Sequence, residues 1–186
     1  MAAHTPFMQS RGNVLLVARD NPKGIFGIKD LLREDVRLFL SNPKTETISY
    51  QVYADTLRNL ARSQGISLDF LEQTVPVDES ADGRVATQRV IYGESIHHRE
   101  APQFLAEGRA DAAMVYYHLA LRYQRIFPDS FEIIWPNEPF PTADQVISQF
   151  NCGLIGDGGA WGQKLIEFLG SDTVTAIYQR HGLQRP

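Results

Sequence analysis

The chain has 186 residues, 43% of them hydrophobic and 22% charged, a composition that suits one good core or two small lobes and excludes a disordered chain. A formal charge of -4 at pH 7, with no basic cluster longer than two residues, leaves no footprint for DNA or RNA and excludes nucleic acid as a main partner. The single Cys152 permits neither an internal disulfide nor a cysteine metal cage. No apolar run approaches the roughly 20 residues of a membrane span, so a soluble chain that is not membrane-embedded is expected.

The lead-in MAAHTPFMQSRGN is polar and lacks both the basic and the apolar region of a secretory signal. Val14 to Ala18 reads as a buried strand, Asp20-Asn21-Pro22-Lys23-Gly24 as a turn, and Ile25 to Leu32 as a short helix carrying Ile28, Leu31 and Leu32. Val36 to Leu40 alternates and predicts a strand, closed by Ser41-Asn42-Pro43. Ser49, a good N-cap type, precedes an apolar face of Tyr53, Leu57, Leu60 and Ala61 that stops at Gly65, the pattern of an amphipathic helix. Ser67 to Gly83, with Pro76, Asp78, Glu79 and Asp82, predicts a solvated irregular loop. Strand resumes at Arg89 to Tyr92.

Ala101 to Glu107 predicts a helix with Pro102 in its first turn and Gly108 at its C-cap. Ala112 to Tyr117 predicts a buried strand, Leu119 to Arg125 a helix, and Phe131 to Trp135 a strand stopped by Pro136. Pro136, Pro139 and Pro141 predict an extended crossing segment between two bodies. Cys152 to Ile155 reads as a last short strand. Two helices follow: Trp161, Leu165, Phe168 and Leu169 mark the first, and Val174, Ile177 and Tyr178 the second, capped by Ser171 or Asp172 and stopped at Gly182. Strands alternating with helices predict an α/β fold on a mostly parallel sheet.

The densest cluster of chemistry lies in Ser95, His97, His98 and Arg99, between a strand end and a helix start. Unpaired backbone N-H groups and the helix dipole favour an anion there. Adjacent side chains point in different directions, so at most one histidine faces a site and the other is packed or at the surface. A metal reading would use His97, Glu100 and His118, but no H-E-x-x-H and no His pair at i, i+4 within one helix supports it. The Gly156-Asp157-Gly158-Gly159 run lacks the Walker lysine and the dinucleotide fingerprint, there is no Gly-x-Ser-x-Gly elbow, and Cys152 reads as a small buried hydrophobe. No catalytic set and no cofactor are expected. Of Tyr116 and Tyr117 at a strand end, one ring should face the core and the other the opposite side, leaving one hydroxyl for a ligand.

The motifs ARDNPKGIFGIKDLL, VRLFLSNP, YADTL, GESIHHREAPQFLAEGRADAAMVYYHLA and KLIEFLGSDTVTAIYQRHGL stand in that order from about Val14 to Leu183. In this they resemble the molybdate-binding family of periplasmic solute-binding proteins. The resemblance implies a type II periplasmic-binding-protein fold. Two α/β lobes close on a tetrahedral oxyanion, molybdate or tungstate, and deliver it to an ABC transporter permease. It places the first crossing between lobes near Asn21 and Pro22 and the return crossing at Trp135 to Pro141. Ligand contacts are implied at Thr47, Ile48 and Ser49 on one helix start, at Ser95 and Ile96 through their backbone N-H groups, and at Tyr116; His97 and Arg99 join them from the reading of the residues themselves.

The chain departs from that family's pattern in three places: little precedes VLLVA, His97 and His98 replace a less polar segment, and Lys44 to Ile48 replaces a proline-rich loop. The expected division is a first-lobe remnant with the crossing strand at 1–20, a second lobe at 21–136, and a return crossing with C-terminal helices at 137–186. An incomplete first lobe would leave exposed sheet edges, so a shortened chain or a homodimer is expected. A periplasmic protein follows if residues have been lost from the start, and a cytoplasmic one if Met1 is native. The functional alternatives are an intracellular ligand-sensing domain of the same fold and, behind it, a metal-binding protein or metal-dependent enzyme using His97, Glu100 and His118.

Overall fold

Apolar runs bounded by turn residues become strands where both faces can be covered. In the computed structural model, which describes residues 4–72, 89–137 and 140–186, they build two sheets. In chain order the strands are β1 (Thr5–Ser10), β2 (Asn13–Ala18), β3 (Leu38–Leu40), β4 (Val90–Tyr92), β5 (Ala112–Tyr116), β6 (Phe131–Ile134), β7 (Gln149–Cys152) and β8 (Leu183–Gln184). The helices are α1 (Thr47–Ser63), the single turn α2 (Asp69–Glu72), α3 (His97–Ala106), α4 (Tyr117–Ile126), α5 (Gly159–Leu169) and α6 (Asp172–Arg180).

The larger sheet has the order β4-β3-β5-β2-β6. β3 runs parallel to β4 and β5, while β2 runs antiparallel to β5 and β6, so the α/β architecture is present on a mixed sheet. Val14, Leu15, Leu16 and Val17 of β2 are fully buried because the sheet is covered on both faces. Leu15 and Val17 pack with Leu38, Leu40, Tyr53, Leu57 and Leu60 on the α1 side. Val14 and Leu16 pack with Phe39, Ala101, Phe104, Ala113 and Val115 on the side of α3 and α4. Burying a leucine this fully contributes roughly 1.5–3 kcal/mol, so the alternation along one strand holds both layers.

The smaller sheet, β7-β1-β8, is antiparallel and carries α5 and α6 with it. Its strand β1 is the segment expected as a polar lead-in, and β7 ends at Cys152, where the expected strand begins. Both sheets are joined through Arg11 and Gly12, between β1 and β2. The first crossing therefore lies there and not at Asn21-Pro22, which form the turn beyond the far end of β2. At that turn Asn21 has φ 42°, a left-handed conformation that Asn tolerates, and its side chain bonds both the N-H and the carbonyl of Ile25 at 2.9 and 2.8 Å. The return crossing runs beside the first at residues 145–148, after Trp135 has packed on Tyr117 and Phe140.

A polar cluster, with Ser10, Asn13, Thr56 and Gln145 buried and Ser148 half-buried, ties the two crossings together. Gln145 accepts from the N-H of Asn13 at 2.7 Å and donates to the Asn13 carbonyl at 3.0 Å, standing in for a neighbouring strand. Thr56 Oγ1 of α1 accepts from Asn13 Nδ2 at 2.8 Å and from the Val146 N-H at 3.1 Å. Ser10 and Ser148 close the set, with Ser10 N-H to Ser148 O at 2.8 Å and Ser148 N-H to Ser10 Oγ at 3.0 Å. Gly12, at φ +99°, has no room for a Cβ, which would stand 2.8 Å from Gln145 Oε1.

Helix α3 begins four residues earlier than the sequence pattern indicates, so Pro102 lies in its second turn. The missing N-H of Pro102 leaves the carbonyl of His98 without its i+4 donor, and the Tyr123 hydroxyl of α4 donates to that carbonyl instead. The expected loop at Pro76, Asp78, Glu79, Asp82 and Gly83, and Pro139 of the crossing stretch, lie outside the described residues. No helix among the described residues is long and apolar enough to cross a membrane.

Candidate functional site

The parallel strands β3, β4 and β5 all end at one edge of the larger sheet, and each is followed there by a helix start: α1 after β3, α3 after β4, α4 after β5. Ligands of open α/β sheets bind outside such strand ends. The turn after β3 is shaped by Asn42, whose Oδ1 accepts from the Lys44 N-H at 2.9 Å while its Nδ2 donates to the Gly93 carbonyl at 3.0 Å, linking the ends of β3 and β4.

The starts of α1 and α3 are joined by a carboxylate. Glu46, the residue before α1, accepts from the His97 N-H at 2.9 Å. Glu100 folds back to accept from the Ser95 N-H at 3.1 and 3.2 Å, filling space that a side chain at position 93 would take: a Cβ there would stand 2.6 Å from Glu100 Oε2. The anion-favouring amides at the α3 start are thus held by the chain's own carboxylates.

Aromatic rings line the same edge. Tyr53 lies 5.0 Å from His97 and 5.2 Å from Tyr116, Tyr50 lies 6.0 Å from Tyr92, and Tyr116 stacks on His118 at 5.3 Å. The Tyr116 hydroxyl shares a hydrogen bond with Ser148 Oγ at 3.0 Å, reaching from the larger sheet to the return crossing. Burial raises the Tyr116 pKa, against the Ser148 bond, which lowers it; burial also raises that of Tyr53 well above the ordinary range.

The expected site residues separate into distinct environments. Thr47 opens α1 and donates to the Pro43 carbonyl at 3.0 Å; Ile48 is exposed; Ser49 lies inside the first turn and is not the cap. Ser95 and Arg99 are exposed, and Ile96 is the residue that precedes α3. His97 is 1% exposed and stacked on Phe39 at 5.0 Å, and among the described residues neither ring nitrogen has a partner of hydrogen-bond geometry. Burial pushes its pKa down to about 3, so the ring is a neutral core group that faces no solvent. His118 is held at about 4, again by burial first and by the charge of His98 second. The metal reading fails on placement: among the described residues no group of three His, Cys, Asp or Glu side chains, His97, Glu100 and His118 included, is brought together. Cys152 is half-buried at the end of β7, its thiol 3.6 Å from the Thr5 carbonyl.

Sequence reasoning missed Glu46, Asn42, Tyr53 and Ser148. It also missed Ser41, whose fully buried Oγ just past β3 has no partner among the described residues. One signal was present: residues 97, 101, 104 and 105 follow i, i+4, i+7, i+8, which assigns His97 to the buried stripe of α3.

Comparison with known proteins settles the family. The profile of the bacterial extracellular solute-binding proteins matches residues 2–184. The chain belongs to that family. Among solved structures it is similar to Peb3 from Campylobacter jejuni, with 18% identity, a TM-score of 0.64, and alignment over 98% of this chain and 68% of that one. Peb3 has also been solved with L-phospholactate bound. A substrate-binding domain assigned to a molybdenum ABC transporter of Clostridium difficile gives 15% identity and a TM-score of 0.65 over 98% of this chain and 66% of that one. The sulfate-binding protein SubI of Mycobacterium tuberculosis gives 17% and 0.61 over 97% and 57%. No curated protein matches the sequence. The neighbours share a periplasmic-binding-protein fold, and the family is one of solute-binding proteins, not enzymes.

Proposed function

We propose that this solute-binding protein takes a small anion at the carboxyl edge of its larger sheet and delivers it to the permease of an ABC-type transporter, outside the cytoplasmic membrane. One observation carries the reading: three helix starts meet at that edge, and the Tyr116 hydroxyl reaches from it to Ser148 on the crossing. Helix starts favour negative charge, and a hydroxyl at the junction of two bodies can bond a ligand held between them. The neighbours named for phospholactate, molybdenum and sulfate support an oxyanion or a phosphorylated acid as the ligand class, with molybdate and tungstate among the candidates. Thr47, Ile48 and Ser49 at the α1 start, Ser95 and Ile96 at the α3 start, and Tyr116 are the proposed contacts; the Arg99 guanidinium lines the groove between α3 and α4 instead. His97 contributes its backbone N-H and not its buried ring. Glu46 and Glu100 already occupy amides of the α3 start, so an anion entering there displaces a carboxylate.

Thermal-shift titration with molybdate, tungstate, sulfate, phosphate and phospholactate tests the class, because a ligand at 100 times its Kd stabilises by about 2.7 kcal/mol. Calorimetry on the ligand so found is expected to show about tenfold weaker binding by Tyr116→Phe, the worth of one hydrogen bond. Glu46→Gln, which removes the competing charge, is expected to bind more tightly. Stability unmoved by every one of these anions refutes the reading.

A further inference from the structure

Helices α3 and α4 leave a groove of about 590 Å³ between them on the face away from α1, with Leu119, Ile126 and Phe127 along its floor and His98, Arg99 and Arg122 at its rim. A second groove of about 400 Å³ continues on the other side of α4, sharing Leu119, Arg122 and Ile126 and adding Arg125, His181 and Leu183. Ile126 and Phe127 are 52% and 48% exposed, a large apolar surface to leave in water at the end of a helix.

The charge on this surface is one-sided. The chain as a whole carries -4, yet among the described residues no carboxylate lines either groove. The acids of α3 and its C-cap turn elsewhere: Glu100 to the Ser95 N-H, and Glu107 to Arg109 and Gln103. Arg99 and Arg122 have no ion-pair partner among the described residues, and Arg125 donates to the Arg180 carbonyl and meets His181 Nδ1 at 3.4 Å, neither of them an anion. Unpaired like charges around an exposed apolar floor oppose one another in the free protein and are compensated when carboxylates are brought to them.

We propose that this double groove docks an acidic segment of a partner protein, seating one or two of its apolar side chains on Leu119, Ile126 and Phe127 and its carboxylates on Arg99 and Arg122. The surface is separate from the anion site and stands whether or not that reading holds. It also spans both bodies, since α3 and α4 pack on the larger sheet while His181 and Leu183 belong to the smaller one. A segment lying across both grooves therefore touches the two bodies at once, and its affinity depends on how they are set relative to each other.

The test is selection from a displayed library of random peptides against the full chain, with Arg99→Glu/Arg122→Glu as the counter-target. The expected peptides carry Asp or Glu beside Leu, Ile or Phe. They bind wild type at least tenfold more tightly than the double variant, and they weaken as salt is raised. The double variant is expected to melt no lower than wild type, because neither guanidinium makes a hydrogen bond or ion pair among the described residues, and that separates lost docking from lost folding. Selected peptides without acidic enrichment, or equal binding by both proteins, overturn the proposal. So does binding of the wild type to phosphatidylglycerol vesicles with no peptide selected, which would assign the cations to a lipid surface.

Discussion

Thr56→Val is the substitution that tests how the two sheets are held. It keeps the shape of a fully buried side chain and removes the one oxygen that receives both Asn13 Nδ2 and the Val146 N-H. Asn13 Nδ2 retains a second acceptor, the Val146 carbonyl at 3.2 Å, so its loss is one net hydrogen bond of about 0.5–1.5 kcal/mol. The N-H of the half-buried Val146 is left unpaired, which costs roughly 1–3 kcal/mol. The expected destabilisation is therefore about 2–4 kcal/mol, or roughly 4–16 °C in melting temperature for a chain of this size. Urea titration followed by far-UV circular dichroism measures it, with Ser63→Ala, whose hydroxyl bonds its own helix at Leu60, as a control expected to change little. A Thr56→Val loss below about 0.5 kcal/mol would mean that water satisfies these groups and that the cluster does not hold the crossing.

Three further outcomes follow from named contacts. Tyr123→Phe strips the His98 carbonyl of its donor and should cost about 1 kcal/mol in urea unfolding; adding Pro102→Ala, which restores a backbone donor to the same carbonyl, should recover part of that loss. His97 and His118 are held neutral at about 3 and about 4, below the unfolded value near 6.5, so the unfolded chain binds more protons in that window. Their contribution is complete above about pH 6.5 and is lost as pH falls toward 3, and His97→Leu should flatten the slope of stability against pH by up to about 1.4 kcal/mol per unit. Arg185 donates to Thr175 Oγ1 at 2.8 Å and to the carbonyls of Phe7 and Leu169, pinning β1 to the junction of α5 and α6; Arg185→Ala should speed amide exchange in β1 and β8 and leave β2 and β5 protected.

Some of this was legible in the residues because it is local. Val14 to Val17 and Ala112 to Val115 are contiguous apolar runs, and a strand buried on both faces leaves such a run. The α1 stripe and its stop at Gly65, φ +65°, are likewise written at helical spacing. What stayed hidden depends on distance along the chain. Asn13, Thr56 and Gln145 are ordinary polar residues until folding brings them together across separations of 43 and 132 positions. Strand β1 has no apolar run because its sheet is small and partly open, and β8 is two residues long, below the reach of any periodicity. The placement of Pro102 failed for another reason: the pattern assumes that a proline's missing N-H must fall at a helix start, whereas a tyrosine from the next helix supplies the donor instead.

The α3 start shows why a motif that attracts anions is not yet a site for one. Its sequence, Ser95 to Glu100, contains both the donors and a competitor, and Glu46 reaches it from a helix start 51 positions away. A carboxylate held there satisfies amides that would otherwise be unpaired and favours the dipole as a bound oxyanion would, so the free protein loses nothing by lacking a ligand. On the proposed reading, binding is then an exchange of one anion for another. Its free energy is the difference between two similar interactions plus whatever the ligand gains from Tyr116 and from the opposite body. On the proposed reading selectivity therefore comes from the Tyr116 side of the edge, where no carboxylate of the described residues competes and where the hydrogen bond to Ser148 connects the proposed ligand position to the crossing.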